Sequence, residues 1–396
     1  MEQFQFTSGL KRTLYILMGV GALALLIGIL VALSGSEEWT KKVWSGILVN
    51  NMFVLAISLA GLFFVAAHYL AFGGWYVVLK RVPEAMSMFL PYAGGLMLII
   101  ILGIAFHWHH IYHWNDAEIM KIDPIAKHKE PFLNFPFFSI RYLLYFGLWI
   151  LFAYLLRRAS LNEDKIGGLN YYNKSKVYSA IFIVIFAITS STMSWDFIMS
   201  IDMHWYSTLF GWYNFATLFV SGIAVMILLI SYLKLNGYLT KVTNEHMHDL
   251  GKFLFAFSIF WTYLWFSQYM LIWYSNLGEE TIYFKQRIDH YPVLFYAVLI
   301  INFLVPFFAL MQRNSKRKLS SLIIVSSIVL FGHWLDYFMM ITPGATQFKV
   351  TLGIFELGLL VGYAGLFLFV FFNALSKAPM YAVGHPFYKE SLQHHT

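Results

Sequence analysis

Ten long apolar segments divide this chain of 396 residues and limit what it can fold into. A helix needs about 20 apolar residues to cross the ~30 Å hydrocarbon core of a bilayer. Each segment is near or above that length, and only 12% of the residues are charged, against about 25% in soluble domains. The sequence therefore predicts an all-α polytopic membrane protein.

The predicted spans follow one another through short loops and form one integral membrane domain over residues 1–396. The first span follows Lys11 and Arg12, as in a secretory signal, but its length favours a retained membrane helix. Pro306 lies inside the eighth span and is expected to kink it. The approximate bounds are 13–33, 46–72, 89–107, 138–157, 177–199, 211–235, 251–274, 291–311, 319–341 and 351–374.

Lys and Arg are distributed unevenly between the two sides that ten spans define. The side of both termini holds 18 of the 27 basic residues, and the opposite side holds 9. Because positively charged loops stay in the cytoplasm, we expect both termini there. Topology signals of this kind also account for the net charge of +7, so the charge does not indicate nucleic-acid binding.

The fifth and ninth spans end in similar sequences. The fifth ends in WDFIMSI (195–201) and the ninth in WLDYFMMI (334–341), which places Asp196 and Asp336 140 positions apart. Both spans run in the same direction, so the similarity indicates a parallel repeat of four helices. We expect two four-helix bundles, over 46–199 and 211–341, with the first and last spans at the periphery.

The ninth span carries ionisable side chains on one helix face. His333, Asp336 and Tyr337 lie at i, i+3 and i+4, so their side chains are neighbours. A histidine beside a carboxylate in a water-poor site can accept and pass a proton. We therefore interpret His333 and Asp336 as proton-transfer residues, because ionisable groups inside spans are usually functional. The alternative is a polar pair that only joins two helices.

Asp196 ends a polar stripe on the fifth span, after Thr189 and Thr192 on the same helix face. We interpret Asp196 as a third proton-transfer residue. It also lies close to the predicted outer boundary of the membrane, so the alternative is a carboxylate that only faces water.

The seventh span places an amide beside an aromatic wall. Trp265 and Tyr269 flank Gln268 near the outer end of this span, and such a wall suits a flat ring with carbonyl oxygens. Plain interfacial packing is the alternative, because Trp and Tyr are enriched at membrane boundaries. Glu356 lies about one turn inside the tenth span, before a GxxxG step at Gly358 and Gly362 that permits close helix contact.

These polar groups fall at one depth. At ~1.5 Å per residue, Asp196, Gln268, Asp336 and Glu356 lie roughly 5–10 Å from the outer boundary, and His333 lies slightly deeper. The sequence therefore predicts a shared hydrated pocket. We assign proton transfer to His333, Asp336 and Asp196, and a pocket for a flat ring with carbonyl oxygens to Gln268, Tyr269, Trp265 and Glu356.

Metal and haem chemistry are not expected of this chain alone. It has no cysteine, which excludes an iron–sulfur cluster held only by its own thiolates. His68 and His333 differ in predicted depth by about 10–15 Å, too far for one haem. His109 and His113 have metal-ligand spacing, but no third ligand is fixed by the pattern. The loop from His107 to Phe137 is predicted to dock an extramembrane subunit, with a re-entrant membrane segment as the alternative.

Two segments resemble the NrfD-type family, the membrane subunits of polysulfide reductases and related complexes. They are residues 194–208, SWDFIMSIDMHWYST, and residues 266–280, FSQYMLIWYSNLGEE. Such subunits occur as a pair in bacterial alternative complex III, and this chain has the length of the shorter one. The resemblance covers nearly the whole chain.

The resemblance implies a membrane subunit of a respiratory quinol:cytochrome c (electron acceptor) oxidoreductase in a bacterial inner membrane. Its implied partners are a larger homologous NrfD-like membrane subunit, an extramembrane iron–sulfur protein, c-type cytochromes and lipids. Quinol would bind near the outer face, in the pocket of Gln268, Tyr269, Trp265 and Glu356, and protons would leave outward. Two other classes remain: a secondary transporter, although its usual sign is an inverted repeat with broken helices, and a structural membrane anchor without a redox role.

Overall fold

A computed structural model describes residues 2–395 and confirms the all-α polytopic class. Its ten longest helices are apolar and long enough to cross a membrane, and no strand is present in this part of the chain. We number these helices α1–α10 in chain order. They are Ser8–Leu33, Glu37–Leu70, Arg81–Ala105, Phe135–Ile166, Asn170–Ile201, Leu209–Leu235, Asn244–Ser275, Pro292–Leu310, Leu319–Thr346 and Ile354–Leu375.

Polar side chains start several of these helices. Thr7, Ser36 and Asn134 accept hydrogen bonds from the backbone N–H groups of the first turns of α1, α2 and α4. These N–H groups have no partner within the helix. At the other end, Asn276 and Gln347 adopt left-handed backbone conformations that terminate α7 and α9.

The helices pack as two groups of four and one pair. Helices α2–α5 contact one another in a ring, and α6–α9 form a second ring. The rings meet through α2, α6 and α9, which are the most deeply buried helices of the ten. Helices α1 and α10 form a pair against α2, outside both rings.

The α1–α10 pair depends on glycine. A methyl group added to Gly21 of α1 would overlap the backbone of Gly362 in α10, and one added to Gly358 would meet Ala24. Small residues therefore allow the two backbones to touch, as the GxxxG step predicted for α10.

The two ends of the molecule differ. Both termini lie at one end, where the Met380 N–H donates to the carbonyl of Glu2; we call this end the terminal face. The opposite end, the loop face, carries the α3–α4 connection and the short helix Gly278–His290. The α3–α4 connection includes the short helices Ala117–Ile122 and Pro124–Lys129 and is tied to the end of α5 by hydrogen bonds from Tyr112 and Trp114.

Helix α8 contains a π-helical turn at Ile300–Leu304. Pro306 cannot donate to the carbonyl of Asn302, four residues earlier, and its ring disfavours a regular turn there. The distortion expected from Pro306 thus takes the form of a wider turn. This turn carries the fully buried Asn302. Single π-helical turns within α-helices are often found at functional sites.

A buried charged cluster lies near the terminal face. Its members, whose side chains are all at most 8% exposed, are Lys80, Arg81, Glu84, Arg157, Glu163 and Asp164. The sequence pattern predicted its basic members as loop charges that set topology. The structure instead buries them between α2, α3 and α4, where three cations face three carboxylates, so that each charge has an opposite charge nearby.

Candidate functional site

Asp336 of α9 is the central carboxylate of the second ring. It accepts hydrogen bonds from Tyr213 Oη, from Thr217 Oγ1 at 2.9 Å and from Trp261 Nε1 at 3.0 Å. All three donors are neutral, and the carboxylate is 1% exposed. Asp336 therefore has hydrogen-bonding support but no cation among its hydrogen-bond donors.

His333 lies one turn before Asp336, with Nδ1 3.9 Å from the Asp336 Oδ2 atom. That separation is too long for a hydrogen bond. The imidazole is fully buried, and neither ring nitrogen has a hydrogen-bond partner in the protein. Buried polar atoms are nearly always hydrogen-bonded to protein or water. The site therefore leaves both nitrogens of His333 available for a bridging water or a transferred proton.

A small cavity of about 30 Å³ adjoins Asp336. A water molecule requires about 10–15 Å³ of such space, so the cavity accommodates one or two waters. Gln268 lines this cavity, and its Oε1 atom is buried without a hydrogen-bond partner. The lining residues are Tyr213, Trp265, Gln268, Tyr283, Phe284, Arg287, Phe295, Val298, Asp336, Met339 and Met340; we call this space the inner cavity.

Further polar atoms without protein partners lie deeper in the second ring. Asn302 presses against Gly332, next to His333, because a side chain at Gly332 would overlap the Asn302 amide. Both amide atoms of Asn302 and the hydroxyls of Ser258 and Ser326 have no hydrogen-bond partner, and all three residues are buried. Such groups are typical of a hydrated interior, since bridging waters can satisfy them.

The structure places Asp196 in the first ring, apart from the inner cavity. Its carboxylate is held by two hydrogen bonds from Arg141, at 2.7 and 2.8 Å, and by one from Tyr145 at 2.7 Å. A guanidinium and a hydroxyl therefore compensate its charge. This environment differs from that of Asp336, although the two residues lie in similar sequences at the ends of their spans.

Glu356 also lies away from the inner cavity. It caps its own helix, α10, by accepting from the Gly353 N–H at 2.8 Å, and it pairs with Lys42 at 3.0 Å. The expectation of one pocket for all the polar groups thus holds for α7 and α9 only. Equal depth along two helices does not determine the direction in which their side chains point.

The aromatic residues of α7 take two positions. Trp265 lines the inner cavity, whereas Tyr269 stacks behind it at a ring separation of 6.1 Å. His333, Asp336, Gln268 and Trp265 are therefore gathered around one region, with Tyr269 as the adjacent layer.

Several site residues were not predicted from the sequence. Tyr213 and Thr217 lie at i and i+4 on α6, and this spacing could have been found by the same face argument that identified His333 and Asp336. Arg287 had no such signal, because it lies on a short helix between two spans and reaches the cavity only through tertiary packing.

The histidine-rich segment after α3 has structural roles. His109 is buried against Trp44 at a ring separation of 4.6 Å, and burial lowers its pKa to about 4. His113 contacts the Gln347 side chain. In residues 2–395 no three His, Asp or Glu side chains are grouped so that they could hold a metal ion.

The fold and this site define the class: a multi-pass helical membrane protein with a cluster of buried polar side chains in its second ring. We call this cluster the polar core; its members are Ser258, Gln268, Asn302, Ser326, His333 and Asp336. Comparison with protein-family models and with curated proteins gives no match for the chain.

Proposed function

We propose that this chain transfers protons as a membrane subunit of a respiratory quinol:electron-acceptor oxidoreductase complex. The proposal joins two arguments. The polar core of the second ring supplies the chemistry, and the resemblance to NrfD-type subunits supplies the biological context. In this context the terminal face, with its excess of basic residues, lies in the cytoplasm of a bacterial cell.

One observation carries the proposal: a fully buried imidazole with two available nitrogens lies one helical turn from a buried carboxylate without a cation among its donors. Such groups cost free energy inside a membrane helix, so their presence there usually indicates a function. The nitrogens of His333 can accept a proton on one side and donate on the other. Asp336 stabilises the imidazolium that forms, because it supplies a negative charge nearby.

Proton transfer is better supported than quinol binding by this chain. The inner cavity has space for one or two waters, which is too little for a quinol ring. Quinol oxidation is therefore assigned to the assembled complex, where an iron–sulfur protein and c-type cytochromes would receive the electrons. The loop face, with its ordered α3–α4 connection, is the surface we propose for docking these extramembrane partners.

His333→Ala tests the proposal in the assembled complex, purified from membranes and reconstituted into vesicles. We expect proton release per quinol oxidised to fall at least tenfold, because the imidazole beside Asp336 is lost. The measurements are quinol oxidation, followed optically, and pH change, followed with a dye.

His290→Ala is the matched control, since His290 is exposed on the loop face. Unchanged proton release in His333→Ala would contradict the proposal. Isolation of the chain from its native membrane without any haem-containing partner would instead favour a transporter.

A further inference from the structure

A second space lies next to the inner cavity, towards the loop face. It has a volume of about 270 Å³, and residues of its rim such as His204 and Gln347 are exposed. We call it the outer chamber. Its polar lining residues are His113, Asp123, Asp202, His204, Gln286 and Gln347.

An ion pair joins the linings of the two spaces. Arg287 lines the inner cavity, Asp202 lines the outer chamber, and Arg287 Nη2 lies 3.0 Å from Asp202 Oδ2. The guanidinium also donates to the backbone carbonyls of Met339, Met340 and Tyr283. In this arrangement the positive charge of Arg287 lies between the cavity of Asp336 and the loop face.

Two further contacts complete this partition. Tyr283 of the inner cavity stacks on Trp205 of the outer chamber, with ring centroids 3.9 Å apart and nearly parallel planes. Gly344 of α9 lies against the Asp202 carboxylate, which an added methyl group would contact at 2.7 Å. The absence of a side chain at position 344 thus allows Asp202 to reach Arg287.

We propose that the Arg287–Asp202 pair is the gate through which protons leave the inner cavity, an inference that rests on the proposed function. In the closed state, the guanidinium paired with Asp202 repels a proton that approaches from outside. Asp336 first takes a proton from the His333 imidazolium through a bridging water, which leaves the imidazole neutral. When Asp336 then releases this proton, its O–H bond breaks and the new carboxylate attracts Arg287. Asp202 then loses its counter-ion and accepts the proton, forming the new O–H bond.

The step conserves charge, because one carboxylate gains the proton that the other loses while the guanidinium changes partner. The outer chamber offers the next acceptors. His204 is hydrogen-bonded to Asp123 and is about half exposed, so a proton on Asp202 can continue through water to the loop face.

The absence of cysteine from this chain allows a direct test of the gate. Val298→Cys would place one thiol in the inner cavity, and Gln286→Cys would place one in the outer chamber. The measurement is the rate at which Ag⁺, added from the loop-face side of vesicles holding the whole complex, protects each thiol from later alkylation.

We expect the thiol at 286 to react quickly and the thiol at 298 at least tenfold more slowly. Adding Asp202→Ala to Val298→Cys should raise the slow rate at least tenfold, because Arg287 loses its partner. Asp289→Ala is the control, since that carboxylate is exposed on the same short helix. Gly344→Ala should act like Asp202→Ala, and it leaves every charge in place.

Equal rates at 286 and 298, or an unchanged rate at 298 after Asp202→Ala, would overturn the gate. The thiol rates do not depend on proton release, so the two proposals fail separately. A normal His333→Ala complex with gated thiols would reject the proposed function alone. A defective His333→Ala complex with ungated thiols would reject the gate alone.

Discussion

Asp196 and Asp336 show how the same residue, at the ends of two spans with similar sequences, comes to differ in environment. Asp196 receives two hydrogen bonds from a guanidinium, whereas Asp336 receives its hydrogen bonds from a phenol, a hydroxyl and an indole. The guanidinium compensates the charge of Asp196, whereas no cation is among the hydrogen-bond donors of Asp336. The second carboxylate is therefore the better candidate for chemistry.

Substitution by Asn should separate these roles. Asp196→Asn leaves Arg141 buried without its counter-ion, and we expect a loss of about 3–5 kcal/mol in the free energy of unfolding. Asp336→Asn removes no charge partner of this kind, so about 1 kcal/mol is expected, together with loss of proton release. Thermal unfolding in detergent measures the first effect. A larger stability loss in Asp336→Asn than in Asp196→Asn would contradict this assignment.

Residue spacing predicted part of the site. The contact face of His333 and Asp336 follows from helix geometry alone, so it could be derived from the sequence. The partner of Asp196 could not, because Arg141 lies 55 positions away on another helix. Tertiary packing, rather than depth in the membrane, decided which polar groups meet.

At the scale of elements, the connection after α3 is held by a neutral histidine. His109 packs between Trp44 and the Gly103 backbone, where a side chain at Gly103 would overlap the imidazole. Burial lowers the pKa of His109 to about 4, whereas the unfolded chain has a value near 6.5. The folded connection therefore favours the neutral form.

Stability of this connection should depend on pH. The contribution of His109 to the free energy of unfolding is complete above about pH 6.5 and falls as the pH decreases towards 4. The unfolded state binds a proton there that the folded state excludes. Between pH 7 and 5 we expect a loss of about 2 kcal/mol. Amide hydrogen exchange of residues 103–115, corrected for intrinsic rates, measures it. His109→Asn should remove the dependence, and its persistence in that variant would assign it to another group.

Element boundaries also show the limit of hydropathy. The second, third and seventh spans were expected at 46–72, 89–107 and 251–274, but the helices begin several residues earlier, at Glu37, Arg81 and Asn244. Charged residues in those first turns lower the local hydropathy. In the structure their charges are paired, as between Lys41 and Glu37 or between Arg81 and Glu84, so the helix continues through them.

At the scale of the whole molecule, the buried charged cluster joins α2, α3 and α4 to the end of the chain. Lys80 lies 3.4 Å from Glu163 and donates to Tyr69 at 2.5 Å. The C-terminal tail covers this pair with His385, whose pKa is lowered to about 2 by burial and by the nearby charges of Lys80 and Arg81. The His385 imidazole beside this cluster is therefore neutral at any physiological pH.

A double substitution should reveal the coupling in this cluster. Lys80→Met alone leaves Glu163 without its nearest cation, and we expect a loss of about 3–5 kcal/mol. Adding Glu163→Leu should restore most of that loss, because no unpaired charge remains. Thermal unfolding of the single and double variants tests this. Additive losses would mean that the two side chains do not interact.

The tail has a consequence for how the protein is made. The Gly384 N–H donates to the Asp164 carboxylate at 2.8 Å, although the two residues are 220 positions apart. The first ring is inserted long before residue 384 leaves the ribosome, yet its charged cluster lacks this hydrogen bond until then. Until the tail is made, the charged cluster of the first ring is therefore incompletely covered. A chain shortened before Gly384 would keep that exposed surface, which the quality-control proteases of the cell could recognise.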